Sequence, residues 1–423
     1  MSLLDNFTGL WRHADFRKLW AAQSLSAFGG RITRTAMPMI AILTLNSPES
    51  LIGLLSATGL VPVALAGLFG GGFVERSKKQ RLMVMLDLMR AALLMLIPIA
   101  AWLGALHIWL LFLCAGVAGA ATALFQNADV AFLPRIVARD QLLEGNSKLQ
   151  MTESIAEFVG PGIGGVLIQF LTAPFAIIFN VATYLWSAYW LSRIKDVADA
   201  PAAEAKSNSD FARLIADLGV GWRAVMTSPP LRSAFVTSSI MQISWGFFFA
   251  LYQLFVLRVL HLPPAIVGII ISCGGVSGLI GAALTQPLVR RVGFGPAMAI
   301  SFALAQVGNV LLLLGAVGGP FTIPLLVGHQ LFGDGCLVSF SILVTSLRQR
   351  TVAENEMARA NALFQAVGGA FLPMASIGAG FIASVIGTQN AVMIGVAVGF
   401  AGVIPLLSPR LLALRRAVVE RAA

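Results

Sequence analysis

Apolar runs of membrane-crossing length alternate with short charged or turn-rich breaks along almost the whole chain. A helix needs about 20 residues to cross the hydrocarbon core. Runs of that size lie near 18–45, 51–74, 83–104, 107–132, 145–171 and 173–194. After a longer polar break the pattern resumes near 231–257, 264–289, 296–315, 320–347, 357–385 and 387–409. The pattern predicts an all-α membrane protein with twelve transmembrane helices in two sets of six.

The breaks carry the orientation. Arg12, Arg17 and Lys18 precede span one, Arg76, Lys78, Lys79 and Arg81 follow span two, and Arg135 and Arg139 follow span four. Arg193 to Arg232 flank the centre, and Arg290, Arg291, Arg348, Arg350, Arg410, Arg415, Arg416 and Arg421 continue the same alternate set of loops. The other set holds essentially Arg258. Loops rich in Lys and Arg stay in the cytoplasm, so both termini are expected there.

Composition then closes off other classes. Of 423 residues, 57% are hydrophobic and 11% charged, with mean hydropathy +0.84. Soluble domains carry roughly 25% charged residues, so this surface must face lipid. The net charge of +10 sits in one set of loops and not on a soluble basic face, which argues against nucleic acid as a partner. Cys114, Cys273 and Cys336 lie far apart in apolar stretches and read as free thiols without metal-ligand spacing. The first apolar run is too long and too polar in its middle for a cleaved signal peptide.

The central break has its own character. Asp196 to Asp210 is polar and Ala/Ser-rich and reads as a flexible linker. Phe211 to Met226 is amphipathic, with Phe211, Leu214, Ile215, Leu218 and Trp222 on one face. That pattern predicts a helix lying along the cytoplasmic surface. The expected organisation is a six-helix bundle over 1–194, a linker with amphipathic helix over 195–230, and a second bundle with a short tail over 231–423.

The halves also repeat in sequence. Ile136-Val137-Ala138, then Leu142 and Asn146, matches Thr351-Val352-Ala353, then Met357 and Asn361, at an offset of 215. The same offset lays Gly160-Pro161-Gly162-Ile163-Gly164-Gly165 on Ala375-Ser376-Ile377-Gly378-Ala379-Gly380. Parallel repeats of six spans are the arrangement of the major facilitator fold.

Residues Gly71 to Arg81 resemble the major facilitator loop motif between spans two and three, with Gly71, Glu75, Arg76 and Arg81 at its marked positions. Glu75 stands where Asp is usual and Lys78 where Gly is usual. Asp87-x-x-Arg90-Ala91 in span three is similar to bacterial exporters of the enterobactin-exporter and macrolide-efflux type. So are Asp15 to Trp20 with Ser26 and Gly29, and Phe132-Leu133-Pro134 through Leu142 and Asn146. Members of that family often place a small acid after the glycine of span one, where this chain has Gly30 and Arg31. The resemblance implies a bacterial inner-membrane transporter, a charged latch at the cytoplasmic helix ends, and spans one, four, seven and ten around a central cavity. It also implies that Gly160, Pro161, Gly164 and Gly165 form the antiporter-type helix-five motif, which restricts leakage. Simple close packing of small residues accounts for the same stretch.

Ionisable groups are expensive in a span and mark function by default. Asp87 and Arg90 stand three apart near the cytoplasmic end and can neutralise each other, and Asp129 is at similar depth. Arg31 and Arg34 in span one, Glu153 and Glu157 in span five and Asp334 in span ten lie deeper, with Gln330 sharing the face of Asp334 and Gln126 in span four. Unpaired arginines in a dry span cost several kcal/mol, so Glu157 or Asp334 is expected within reach of Arg31 or Arg34. A carboxyl held between burial and a guanidinium is the proton carrier an antiport cycle needs; a buried ion-pair network between spans one and five is the rival reading of Glu153 and Glu157. Trp245, Phe248 and Tyr252 in span seven offer planar apolar contact with polar tips. His107, His261 and His329 are scattered, and no nucleophile–base set or phosphate-binding loop appears.

These residues predict a non-enzymatic, monomeric secondary transporter. It is expected to use the proton gradient and no cofactor, exporting an amphipathic small molecule, a siderophore or drug in the multidrug manner, with protons and lipids as its other partners. Uptake of an anionic solute by uniport or symport is the rival within transport. A non-transporting receptor or lipid-handling protein is the rival outside it.

Overall fold

A backbone crossing lipid must satisfy its own hydrogen bonds, so the long apolar runs are helical. The structure, a computed structural model, describes residues 9–69, 71–195 and 211–414. In the first half α1 spans Ala14–Met39, α2 Glu49–Phe69, α3 Lys79–Trp102, α4 Ile108–Ile136, α5 Leu142–Leu171 and α6 Ala173–Ser192. In the second, α7 spans Pro229–Leu254, α8 Pro264–Val292, α9 Phe294–Leu314, α10 Thr322–Thr351, α11 Glu354–Ile386 and α12 Thr388–Ala401. No strand occurs among the described residues. Ten of these helices, α3 to α12, are long and apolar enough to cross a membrane. With α1, whose charges lower its hydropathy, and α2 they make twelve.

The last span, Thr388–Leu407, changes form before its end. Its helix stops at Ala401, and a 3-10 turn, Ile404–Leu407, follows Gly402 and contains Pro405. Proline cannot donate to a continuing α-helix. The linker Asp196 to Asp210 and the basic Arg415, Arg416 and Arg421 lie outside the described residues.

The 215-residue offset runs through the backbone. Ala14, Glu49, Lys79 and Ala173 open α1, α2, α3 and α6. Pro229, Pro264, Phe294 and Thr388, each 215 positions on, open α7, α8, α9 and α12. Both α1 and α7 finish in a π turn, Ile40–Thr44 and Phe255–Val259. Positive-φ residues recur at the same offset: Asn46 with His261, Gly104 with Gly319, and Thr172 with Gly387.

Two compact units result, one of Met1–Ser47, Thr58–Asn208 and Pro263–Ile269, the other of Pro48–Ala57, Ser209–Leu262 and Ile270–Ala423. Each takes in the first turns of one helix from the other half, α8 in the first unit and α2 in the second. Glycines make these turns fit. In the first unit a Cβ on Gly165 would lie 2.9 Å from Gly268 Cα and against the Pro264 carbonyl. In the second, a Cβ on Gly380 would lie 2.9 Å from Gly53 Cα and 2.7 Å from the Glu49 carbonyl oxygen. The core of the first unit gathers Phe16, Leu19, Met83 and Phe132. That of the second gathers Leu231, Phe235, Phe302 and Phe340.

The amphipathic helix, Phe211–Thr227, is docked on protein and does not merely lie on a membrane surface. Val225 is fully buried, and Leu218, Ala224 and Met226 pack on the second core. Gly221 meets the Arg359 carbonyl of α11 so closely that any Cβ there would clash, and Asp217 accepts a 2.8 Å hydrogen bond from Arg359 Nε. Trp222 stays half-exposed with its ring edge-on to Phe235 at 6.0 Å. The absence of a side chain at Gly221 is what brings the helix down onto α11.

Candidate functional site

The first unit holds a four-residue cluster of charge. Arg31 projects from α1 toward α5, where Glu153 and Glu157 stand one turn apart. Its Nη2 donates to Glu153 Oε2 at 3.0 Å, and its Nη1 pairs with Glu157. Arg34, three residues along α1, approaches Glu157 at 3.7 Å. The guanidinium of Arg31 is mostly enclosed at 17% exposure, while both glutamates are about half open, at 50% and 53%. Both carboxylates therefore keep an open face while they hold the enclosed guanidinium.

Gly160 explains how Arg31 fits between these helices. A Cβ there would sit 2.5 Å from Arg31 Cβ, so only glycine admits the arginine stem. Gly164 lies one turn on, 3.3 Å from Ile32 Cα by the same measure. The helix-five stretch is thus two-sided, with Gly160 and Gly164 against α1 and Pro161 and Gly165 against the start of α8. Gly30 has open space beside it.

The remaining acids part company. Glu157 supplies the partner for Arg31 and Arg34, whereas Asp334 makes no ion pair with any described residue. Asp334 lies in the second unit, its carboxylate filling the space a Cβ on Gly274 would take. Asp129 accepts a hydrogen bond from Gln23 of α1, and Gln126 one turn earlier is exposed. Asp87 and Arg90 form a pair exposed by only 0% and 3%. The Arg90 guanidinium also donates to Thr122 at 3.2 Å and lies over the rings of Phe125 and Tyr184 at 4.6 and 4.3 Å.

The expected latch is not assembled. Glu75, Arg76 and Arg81 are exposed and form no ion pair with a described residue. Glu75 offers its backbone carbonyl to Lys79 Nζ at 2.7 Å, and Gly71 opens a short helix that ends at Arg76. The turn itself differs between the halves. Lys78 keeps an extended conformation, φ −68° and ψ 106°, whereas Gly293 at the repeat-related position takes φ 94° and ψ 166°. A left-handed turn is open to glycine and closed to lysine, so the chain enters α3 along another path than α9.

The second unit holds an aromatic group that sequence reading found only in part. Tyr252 stacks on His329 with ring centroids 5.8 Å apart, and Phe248 approaches the same ring at 6.2 Å. His329 Nδ1 lies 3.1 Å from the Gly308 carbonyl. Gln330 is buried beside it, and Trp245 is exposed at 43%. His329 looked scattered because its partners come from α7, some 80 residues away. Its place five residues before Asp334 in an apolar span was the available signal. No three His, Cys, Asp or Glu residues among those described stand close enough to share a metal ion.

Comparison with known proteins agrees with this architecture. The MFS-type transporter y4rN of Sinorhizobium fredii is 24% identical over 413 residues, covering 92% of this chain and 93% of its own length. Macrolide efflux protein A of Streptococcus pyogenes is 27% identical over 153 residues, 36% of this chain and 37% of that protein. Among solved structures, a bacterial homologue of the iron transporter ferroportin in the inward-facing state superposes with a TM-score of 0.72. It is 17% identical and the match covers 96% of this chain and 99% of that one. Residues 19–373 match the Major Facilitator Superfamily as a whole; the chain, twelve spans in a tandem repeat, belongs to that family of membrane transporters.

Proposed function

We propose that this transporter exports an amphipathic small molecule by proton antiport across a bacterial inner membrane, with both termini in the cytoplasm. The observation that carries the proposal is Arg31 held between Glu153 and Glu157 in the middle of the first unit. With Arg34 the four groups sum to zero charge. A proton taken up by Glu157 breaks its pair with Arg31 and leaves the cluster one charge positive. A cationic solute then meets repulsion, and loss of the proton removes it. Proton and solute therefore exclude one another, which is the requirement for exchange in opposite directions. The partial likeness to macrolide efflux protein A supports export.

The test uses everted membrane vesicles with an imposed pH gradient and ethidium as the probe. Wild-type protein is expected to concentrate ethidium. Glu157→Gln should lose gradient-driven accumulation by about tenfold or more, since one ion pair worth roughly 1.4 kcal/mol corresponds to that factor, while downhill exchange continues. A Glu153→Gln, Glu157→Gln double variant that still concentrates the probe would overturn the reading. Arg34, 62% exposed and only loosely paired, favours uptake of an anionic solute as a second reading. Accumulation in right-side-out vesicles distinguishes the two.

A further inference from the structure

A half-open cavity of about 190 Å³ lies among α7, α10 and α11 of the second unit. Ser341, Thr345 and Arg348 line it from one stripe of α10, Ser238 and Gln242 from α7, and Phe364 from α11. No acidic residue lines it. Arg348, which from sequence reads as a loop charge, belongs to the last turn of α10. Its guanidinium lies over the Phe364 ring, 4.7 Å from the centroid, and its Nε is buried without an acceptor.

The chemistry of this cavity is lopsided. The Ser238 hydroxyl donates to the Ala234 carbonyl of its own helix at 2.8 Å. The hydroxyls of Ser341 and Thr345 and the amide of Gln242 make no hydrogen bond to a described residue, so their donors are available beside the guanidinium, which has no acceptor of its own. Arg31 and Arg90, the arginines deep in the first unit, each hold a carboxylate. Arg348 forms no ion pair with a described residue. A guanidinium stays charged at every accessible pH, and the Nε of this partly buried one is shut off from water with nothing to accept its proton.

We propose that this cavity is a binding site for an anionic group, carboxylate or phosphate, which completes Arg348. The guanidinium grips two oxygens of the group in its planar fork, with Ser341, Thr345 and Gln242 donating around it and Phe364 beneath. A water molecule takes about 30 Å³ of liquid, so the volume admits a solute the size of benzoate or phosphate. Drug-sized ligands need roughly 300 Å³ or more and would leave only their anionic end here. A soluble organic anion and a phospholipid headgroup share this chemistry. The inference does not depend on the direction of transport.

The experiment measures binding by purified full-length protein. Calorimetric titration in phosphatidylcholine nanodiscs uses benzoate and, separately, inorganic phosphate; native mass spectrometry of detergent-solubilised protein uses added phosphatidylglycerol. At least one probe is expected to bind saturably. Arg348→Gln should weaken it by about tenfold or more, in line with the loss of a charge-assisted pair, and Arg348→Lys by less, since the charge stays and the fork goes. The Ser341→Ala, Thr345→Val double variant keeps the charge and should weaken binding about threefold. It serves if Arg348→Gln does not fold. Retention of phosphatidylglycerol alone assigns the site to a lipid headgroup; saturation by benzoate or phosphate assigns it to a soluble anion. Absence of binding by all three probes, or binding undiminished in both the Arg348 and the hydroxyl variants, overturns the proposal.

Discussion

Two crossings related by the internal repeat solve one packing problem in opposite ways. Where α1 meets α5, Arg31 is the large residue and Gly160 the small one. Where α7 meets α11, Gly246 stands at the position of Arg31, and a Cβ built on it would lie 2.5 Å from Ala375 Cβ, the residue at the position of Gly160. The small residue has changed helix. Glu153 and Glu157 likewise have Gly368 and Leu372 as their repeat partners. What the halves share is the close approach of backbones; the ion cluster belongs to the first half. A tandem repeat thus conserves spacing and leaves side-chain chemistry free to diverge.

The Asp87–Arg90 pair offers the sharpest way to break this comparison. Its repeat partners are Phe302 and Ala305, both fully buried, and Phe302 packs on Phe340 with centroids 4.9 Å apart. One half therefore fills with an ion pair what the other fills with apolar surface. Removing one partner of a buried pair strands the other charge, so Asp87→Asn should destabilise the protein by about 3–5 kcal/mol. Asp87→Phe with Arg90→Ala removes both charges and copies the second half, and should cost roughly 2 kcal/mol or less. Thermal unfolding in detergent measures both. A double variant as unstable as the single one would show that Arg90 is needed for its contacts with Thr122, Phe125 and Tyr184 and not merely neutralised.

The glycine crossings sharpen the opposite side of the comparison, where the halves should behave alike. Gly165 against Gly268 and Gly380 against Gly53 are repeat-related and bring backbone onto backbone. No flexible side chain is present to yield, so each of Gly165→Ala and Gly380→Ala should cost about 1–3 kcal/mol through overpacking. Equal losses of thermal stability are expected. A loss confined to one of them would mean that the matching geometry hides unequal loads.

Much of this organisation is legible in the sequence, because lipid imposes few solutions. Helix starts follow from apolar length, and the offset is visible in the stretches 136–146 and 351–361. The cost of an unpaired arginine pointed to Glu157 or Asp334 as a partner for Arg31 or Arg34, and the geometry chooses Glu157. The rest depends on which face each helix turns inward. Arg348 sits among the basic residues that set orientation, and only the extension of α10 to Thr351 places it beside a cavity. Lys78 departs visibly from the loop motif, yet how far the turn would change required the backbone angles. Likewise Gly160 and Gly165 look equivalent in sequence, although one serves α1 and the other α8.

The smallest expected effect concerns a turn that the halves build from different residues. Thr172, between α5 and α6, has φ 68° and ψ 159°; Gly387, between α11 and α12, has φ 88° and ψ 154°. That region is essentially reserved for glycine and costs other residues about 1–3 kcal/mol. A β-branched threonine holds it only because the helices on either side fix both ends of a one-residue turn. Glycine at this position loses more freedom on folding, by about 0.5–1 kcal/mol, which offsets part of the relief. Thr172→Gly should therefore stabilise the protein by about 1 kcal/mol, and Gly387→Thr should destabilise it by a similar or somewhat larger amount. Unfolding temperatures of the two variants decide the matter. If Thr172→Gly is instead destabilising, the threonine side chain stabilises the turn by more than its strain costs, and the two halves differ in how they hold the same bend.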